Sequence, residues 1–307
     1  MRYLDPKADL TFKKVFGEHP DLIISLLNAL LPFEIEDEKI VSVEYLPSEL
    51  VPDTPLKKNS IVDVRCKDAA GRVFIVEMQM LWSPAFMSRV LFNASKAYVR
   101  QLGNGKEYNI LQPVYSLNLV NDVFMHDVEN YYHDYRIVHV EHSDKIIEGL
   151  RFVFVELPKF KPQTFSQKKM HVLWLRYLTE VGEGMFDVPQ ELMDVPEIKK
   201  AVDQLQQSAF NDAQLQGYDE FWDAVRVEKT LMSDALDEGQ KQGIEQGMKQ
   251  GIEQGIEQGL KQGIEQGVEK GRKEERLEIA RNLKKTGVTA DIIAQSTGLS
   301  EEEINAL

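Results

Sequence analysis

Cysteine is almost absent from this 307-residue chain. Cys66 is the only one, which excludes an intrachain disulfide framework. No run approaches the ~20 apolar residues of a membrane span, and the opening MRYLDPKADLTF lacks the apolar segment of a secretory signal. The expected location is therefore the cytoplasm, without membrane attachment. Histidine is scarce, at six residues, and scattered. The one close pair, His139 and His142 in HVEH, lacks the companion ligands of a zinc site. No phosphate-cradling glycine loop followed by Lys-Ser/Thr is present. Cations are in deficit, 36 against 50 acids, giving a formal net charge of −14. Taken as a total, that charge argues against a nucleic-acid partner.

Its distribution argues the other way. Residues 1–122 hold 14 Lys/Arg and 16 Asp/Glu, so nearly all the excess acid lies beyond them. Leu56–Lys106 holds nine cations (Lys57, Lys58, Arg65, Lys67, Arg72, Arg89, Lys96, Arg100, Lys106) and only three acids, Asp63, Asp68 and Glu77.

The length suits about two domains. HPDLIISLLNALLP carries Leu22, Ile23, Leu26, Leu27 and Leu30 at helical spacing and stops at Pro32. KIVSVEYL, SIVDVRC and RVFIVEMQM read as strands, the last two joined by the turn-like KDAAG. AFMSRVLFNASKAYVRQL after Pro84 predicts an amphipathic helix closed by Gly103, and PVYSLNLV a fourth strand. This helix–three strands–helix–strand order predicts an α/β core with a hairpin leading into a crossover helix. Beyond it, LRFVFVELPKF predicts another strand, followed by MHVLWLRYLTEV, PEIKKAVDQLQQSAF and DEFWDAVRVEKTLMSDAL as helices.

The unusual feature is Asp63 in one apolar run and Glu77 and Gln79 in the next. Buried strands read as Val, Ile and Leu, and an uncompensated buried charge costs several kcal/mol. On a strand Glu77 and Gln79 share a face, with Asp63 on the neighbouring strand of the hairpin. In suitable register, Asp63 and Glu77 hold a hard cation. Mg²⁺ needs only one or two carboxylates, with water and substrate phosphate completing its shell, and such an ion suits hydrolytic phosphoryl transfer. An ordinary Asp–Arg pair accounts for Asp63 equally well. Cys66 falls on the opposite strand face and reads as core.

DLTFKKVFG, SIVDVRC with FIVEMQM, and RVLFNASKAYVRQLGNGKEY with LQPVYSLNLV together resemble the recombination-promoting nuclease (Rpn) family of transposase-like proteins. This family lies in the PD-(D/E)XK nuclease superfamily, and the resemblance spans most of residues 1–235. It implies an αβββαβ restriction-endonuclease-like core over 1–160, a helical extension over 161–238, and Mg²⁺-dependent DNA endonuclease activity linked to recombination. Asp63 matches the motif aspartate and Glu77 the second acid. Gln79 stands where the wider superfamily has lysine, a cation that orients water or stabilises developing charge. Substituting Gln79→Lys is on that basis expected to keep or raise the rate. Lys13 is a candidate replacement cation, Asp9 a third ligand or a helix cap, and Arg89 a phosphate or carboxylate contact. If the helix after Pro84 runs over the site, Arg89 and Tyr98 face it and Gln101 lies one turn on, with Tyr98 reading as core rather than catalytic. Two other readings stay open: a catalytically weak DNA-binding or interaction protein on the same fold, and an assembly protein whose tail carries the function.

From Gly239 to Gly271 glycine recurs at every fourth residue, each but the first and last followed directly by Ile244, Met248, Ile252, Ile256, Leu260, Ile264 or Val268. Glycine costs up to ~1 kcal/mol each in a helix. A solitary helix is thus unfavourable, and the segment reads as a homo-oligomer interface or a spacer. Residues 272–307 predict three short helices, with Thr289 capping the second and Ser300–Glu303 forming a capping box. Their spacing resembles a helix-turn-helix. The three glutamates of the last helix suit DNA phosphate badly, however, and favour a dimerisation or partner-binding module.

Overall fold

The computed structural model describes residues 2–33, 35–50, 60–103, 107–162 and 169–307. Lys57, Lys58 and Lys106 of the basic region lie outside them. Two units form, Met1–Thr230 and Leu231–Leu307.

The first unit opens with α1 (Asp9–Glu18) and α2 (Pro20–Leu30), the latter started by Pro20 in its first turn. Next come β1 (Val43–Tyr45), a two-residue ribbon of β2 (Glu49–Leu50) and β3 (Ser60–Ile61), β4 (Val64–Asp68) and β5 (Val73–Gln79). Helix α3 (Pro84–Val99) crosses to β6 (Val114–Val120), followed by β7 (Tyr132–Val138) and β8 (Ile146–Glu156). Helices α4 (Met170–Glu180), α5 (Gln190–Met193) and α6 (Pro196–Asp203) complete the core, and α7 (Asp212–Lys285) begins in this unit.

The main sheet runs β1-β4-β5-β6-β8-β7. Strands β5, β6 and β8 are parallel, and the outer pairings antiparallel. Its first four strands follow the αβββαβ order expected from the sequence. Strand β7, which the sequence does not announce, lies at the edge, where alternation is weak because one side of the ladder is open.

The pleat divides β4 and β5 between two layers. Val64, Cys66, Phe74 and Val76 enter the core formed with α1, α2 and α4 around Phe12, Phe16, Trp174 and Tyr177. Val73 and Ile75 point the other way, against Ala94 and Ala97 of α3. Cys66 is fully buried, as read. The helices after β8 pack into the first layer through Leu173, Leu178, Ile198 and Val202.

In the second unit the end of α7, α8 (Ala290–Thr297) and α9 (Glu301–Asn305) surround Ala280, Ile293, Leu299 and Ile304. The three expected helices form, the first as the end of α7. The Ser300–Glu303 capping box is present, whereas Thr289 occupies the N-cap of α8 without a side-chain cap bond. The glycine-period segment is helical throughout, and Ile244 through Val268 are all exposed. No helix among the described residues is long and apolar enough to cross a membrane.

Candidate active site

Asp63 stands one residue before β4, at a bend, and not within a continuous strand as expected. Its own side chain is the reason: Oδ2 accepts the Met78 backbone N–H at 2.7 Å, taking a donor that a regular ladder gives to a carbonyl. Val64 pairs with Val76, so one step further along the hairpin Asp63 lies opposite Glu77. Glu77 is 4% exposed, on the sheet face that carries α3.

Helix α3 runs back over that face because the β5–β6 connection is a parallel crossover. It supplies Asn93, whose Nδ2 donates to Glu77 Oε1 at 3.0 Å, and one turn earlier Arg89, whose Nη2 is 3.5 Å from Glu77 Oε2. The same Nη2 donates to Gln79 Oε1 at 2.7 Å, while Gln79 Nε2 donates to the Leu81 carbonyl at 2.6 Å. Gln79 is thereby held at both ends of its amide. The turn beyond it is fixed by Asp122, which accepts the Trp82 N–H at 2.9 Å. Arg89 also lies over the Phe86 ring, 4.9 Å from its centroid, with its side chain still 47% exposed.

Burial raises the Asp63 carboxyl to about 6, against the favourable Met78 bond and nearby Lys13 and Arg89. Burial, reinforced by the Asp63 charge, raises Glu77 to about 7 despite Asn93 and Arg89. Two acids that hold protons near neutrality at one spot call for more positive charge than the protein supplies. Among the described residues no donor bonds Asp63 Oδ1, and Glu77 Oε2 meets only Arg89. One hard oxygen from each acid is thus left to a divalent cation, a donor set that fits Mg²⁺. Among the described residues no group of three or more His, Cys, Asp or Glu is arranged for a metal.

The other expected residues separate. Asp9 and Lys13 pair with each other at 2.6 Å on α1. Asp9 is the first residue of that helix, after Ala8 at the cap. Both lie near enough to act on Asp63 electrostatically, but Lys13 is neutralised by Asp9. Tyr98 packs against Gly149, away from the acids. Gln101 clamps the Gln112 backbone. Asn93 is the residue that sequence reasoning missed. Its signal was a buried amide in the otherwise apolar stripe Phe86, Val90, Ala94, Ala97.

Both raised carboxyl pKa values have a consequence for stability. A folded-state pKa above the unfolded value gives stability that is present at low pH and lost as pH rises through the folded value. The metal-free protein should lose stability between about pH 4.5 and 7 through Glu77, on the order of 3 kcal/mol. Thermal melts in EDTA at pH 5 and pH 8 test this. Glu77→Gln should flatten the difference, and an unchanged pH dependence would exclude Glu77 as its source.

A mixed sheet with two acids paired across a hairpin and a crossover helix laid over them is compatible with a PD-(D/E)XK nuclease fold. Residues 6–235 match the family model described as PD-(D/E)XK nuclease family transposase, and the chain belongs to that family. Residues 273–307 match the Rpn/YhgA-like nuclease family, C-terminal HTH domain. The terminal helices are thus a helix-turn-helix by family, the assignment that the glutamates of α9 had weighed against. No curated protein and no solved structure matches the chain.

Proposed function

We propose that this chain is a divalent-metal-dependent DNA endonuclease acting in recombination, with Asp63 and Glu77 as the ligands of Mg²⁺. The observation that carries this is the pair of carboxylates opposed across the hairpin, Glu77 buried and Asp63 half-buried, each keeping one oxygen unbonded by backbone or amide among the described residues. Mg²⁺, when bound there, supplies Lewis acidity toward a phosphoryl oxygen and lowers the pKa of water. The protein's own part is electrostatic and geometric. Asn93 orients Glu77. Arg89 faces the substrate side as the cation that stabilises charge on the phosphate, the role lysine has in the wider superfamily. Gln79 is a positioning residue that holds Arg89 in place. Membership of a nuclease family and a C-terminal helix-turn-helix both support DNA as the substrate. The direct test is nicking of supercoiled plasmid by purified protein with Mg²⁺, with EDTA, and with Asp63→Ala. Cleavage that persists in EDTA would overturn the metal dependence.

A second reading, that the tail binds protein, is favoured by one observation: Glu301, Glu302 and Glu303 of α9 are all exposed, a poor surface for a DNA groove. The repeat adds to it. Opposite charges recur four residues apart, as in Lys241/Glu245, Lys249/Glu253 and Lys261/Glu265, each worth ~0.2–0.5 kcal/mol. That is less than the ~1 kcal/mol cost of each glycine, so the helix gains from a surface that covers its apolar residues. A second copy is the simplest, because two-strand cleavage uses two sites and two-fold dimers are the commonest assemblies. Truncation after Glu238 is expected to lower the mass seen by light scattering and to shift products from linear toward nicked plasmid, with the core still folded. Equal mass and equal linearisation would make the segment a spacer.

A further inference from the structure

Strand β7 is an open edge of the main sheet: among the described residues β8 is its one strand neighbour. Hydrogen bonding to β8 alternates along it. The Tyr131 carbonyl accepts the Glu156 N–H at 2.8 Å, and the His139 N–H donates to the Lys145 carbonyl at 2.9 Å. Odd-numbered residues therefore turn their backbone groups toward β8, and Tyr132, Asp134, Arg136 and Val138 turn theirs toward the open edge. Such edges are usually blunted by proline, lysine or a bulge in the edge strand. The strand YHDYRIV contains neither proline nor lysine. The register shift between Arg136 and Ile137 is taken up on β8, whose Arg151 and Ile147 are the successive partners, so β7 runs unbroken. Tyr135, Ile137 and Val138 are exposed on it, and the end of the hairpin adds exposed Val140, Ile146 and Ile147.

The side chains of this edge complement themselves. With two copies antiparallel about Tyr135, Asp134 stands opposite Arg136 of the second copy, Tyr132 opposite Val138, and His133 opposite Ile137. Opposite charges and aromatic–β-branched pairs are the favourable cross-strand combinations. All four edge-facing residues then find ladder partners. Moving the axis by one residue sets Asp134 or Arg136 against its own copy, like charge against like. Asp134 already draws Arg136 and Arg151 of its own chain, at 3.2 and 2.8 Å, so the paired edge extends an existing network of alternating charge.

We infer that β7 is a self-association edge, through which two copies of this chain join their sheets by antiparallel β7–β7 pairing centred on Tyr135. The two-fold axis between antiparallel strands stands perpendicular to the sheet, so both α3 helices and both Asp63–Glu77 pairs lie on one face of a continuous sheet. By the strand order, seven spacings of ~4.8 Å separate the two β5 strands, about 34 Å. Two sites on one side suit the two strands of one duplex. That consequence rests on the proposed nuclease function, whereas the pairing does not, and the contact is separate from the glycine-period helix.

The test is register-specific disulfide trapping in the full chain, without DNA or metal. Facing residues of a non-hydrogen-bonded antiparallel pair have Cα atoms about 4.5 Å apart, within reach of a disulfide, and the native Cys66 is buried. Under copper–phenanthroline, Tyr135→Cys should give covalent dimer roughly 10-fold faster than Val140→Cys, whose two copies stand about 33 Å apart in this register. Val140 is 96% exposed, so its variant reports collisional linking. Adding Val138→Pro removes an edge N–H that β8 does not use. It should cut the Tyr135→Cys rate to the Val140→Cys level, with the melting temperature within a few degrees of that of Tyr135→Cys alone. Arg136→Glu sets acid against acid across the axis and should slow trapping likewise, which keeps the test independent of how well the proline variant folds. Equal trapping of Tyr135→Cys and Val140→Cys would overturn the inference. So would a Tyr135→Cys rate that either second substitution, in a folded protein, leaves unchanged. If the pair is trapped while wild type leaves plasmid intact, the nuclease proposal fails and the edge stands.

Discussion

Asp63→Ala and Glu77→Ala are each expected to lower Mg²⁺-dependent plasmid cleavage by roughly 10³-fold or more, while duplex binding in EDTA stays within a few-fold of wild type. The magnitude follows from the several kcal/mol of transition-state stabilisation that a bound metal supplies, at 1.36 kcal/mol per tenfold. Among the described residues the two acids, Glu77 buried and Asp63 half-buried, are the carboxylates opposed on the α3 face of the hairpin, so loss of either leaves one protein ligand. The same substitutions should not unfold the chain. Glu77 is buried with its pKa raised to about 7, so in the metal-free protein its ionised form is a cost and its removal relieves it. Asn93 is left unpaired by Glu77→Ala, which makes Glu77→Gln the better variant for stability. Expected together, therefore, are abolished cutting, retained binding and a melting temperature in EDTA at pH 8 no lower for Glu77→Gln than for wild type. Cutting by either alanine variant within a few-fold of wild type would remove Asp63 and Glu77 from the metal site.

Gln79→Lys is expected to lower cleavage about 10²-fold, the reverse of what the superfamily pattern alone suggests. A lysine here keeps a donor for the Leu81 carbonyl but loses the acceptor that holds Arg89 at 2.7 Å. It also sets an ammonium beside a guanidinium. Two like charges about 4 Å apart repel by about 4 kcal/mol at an effective dielectric constant of 20, enough to drive Arg89 off Glu77. Loss of one preorganised electrostatic group costs 10²–10³ in kcat. Combining Gln79→Lys with Arg89→Gln returns a single cation to the site and should recover part of the loss. Single-turnover rates of the four proteins form the cycle. A Gln79→Lys rate equal to or above wild type would show that Arg89 is not the cation of this site.

Much of the first unit was legible because its elements follow local periods. The apolar spacing in LIISLLNALL gives α2, and RVFIVEMQM gives β5 with its acid on one face. Pro84 marks the start of α3. That Asp63 and Glu77 lie on neighbouring arms of one hairpin was legible too, but the register that opposes them was left open and came from the structure. Strand β7 was not legible, because an edge strand with exposed side chains carries little alternation.

The order of the core, the placing of its two acids on one hairpin and the Ser300–Glu303 cap are properties of the sequence by itself, written in near-neighbour spacing. Tertiary structure alone decided which cation serves the acids. On paper Lys13 was a candidate replacement for the superfamily lysine and Arg89 a phosphate or carboxylate contact. The crossover of α3 brings Arg89 to Glu77 and Gln79, while the i,i+4 geometry of α1 returns Lys13 to Asp9. Asn93 beneath Glu77 has the same origin. Side chains distant in sequence meet only where a helix is laid across a sheet, and no periodicity along the chain encodes that angle.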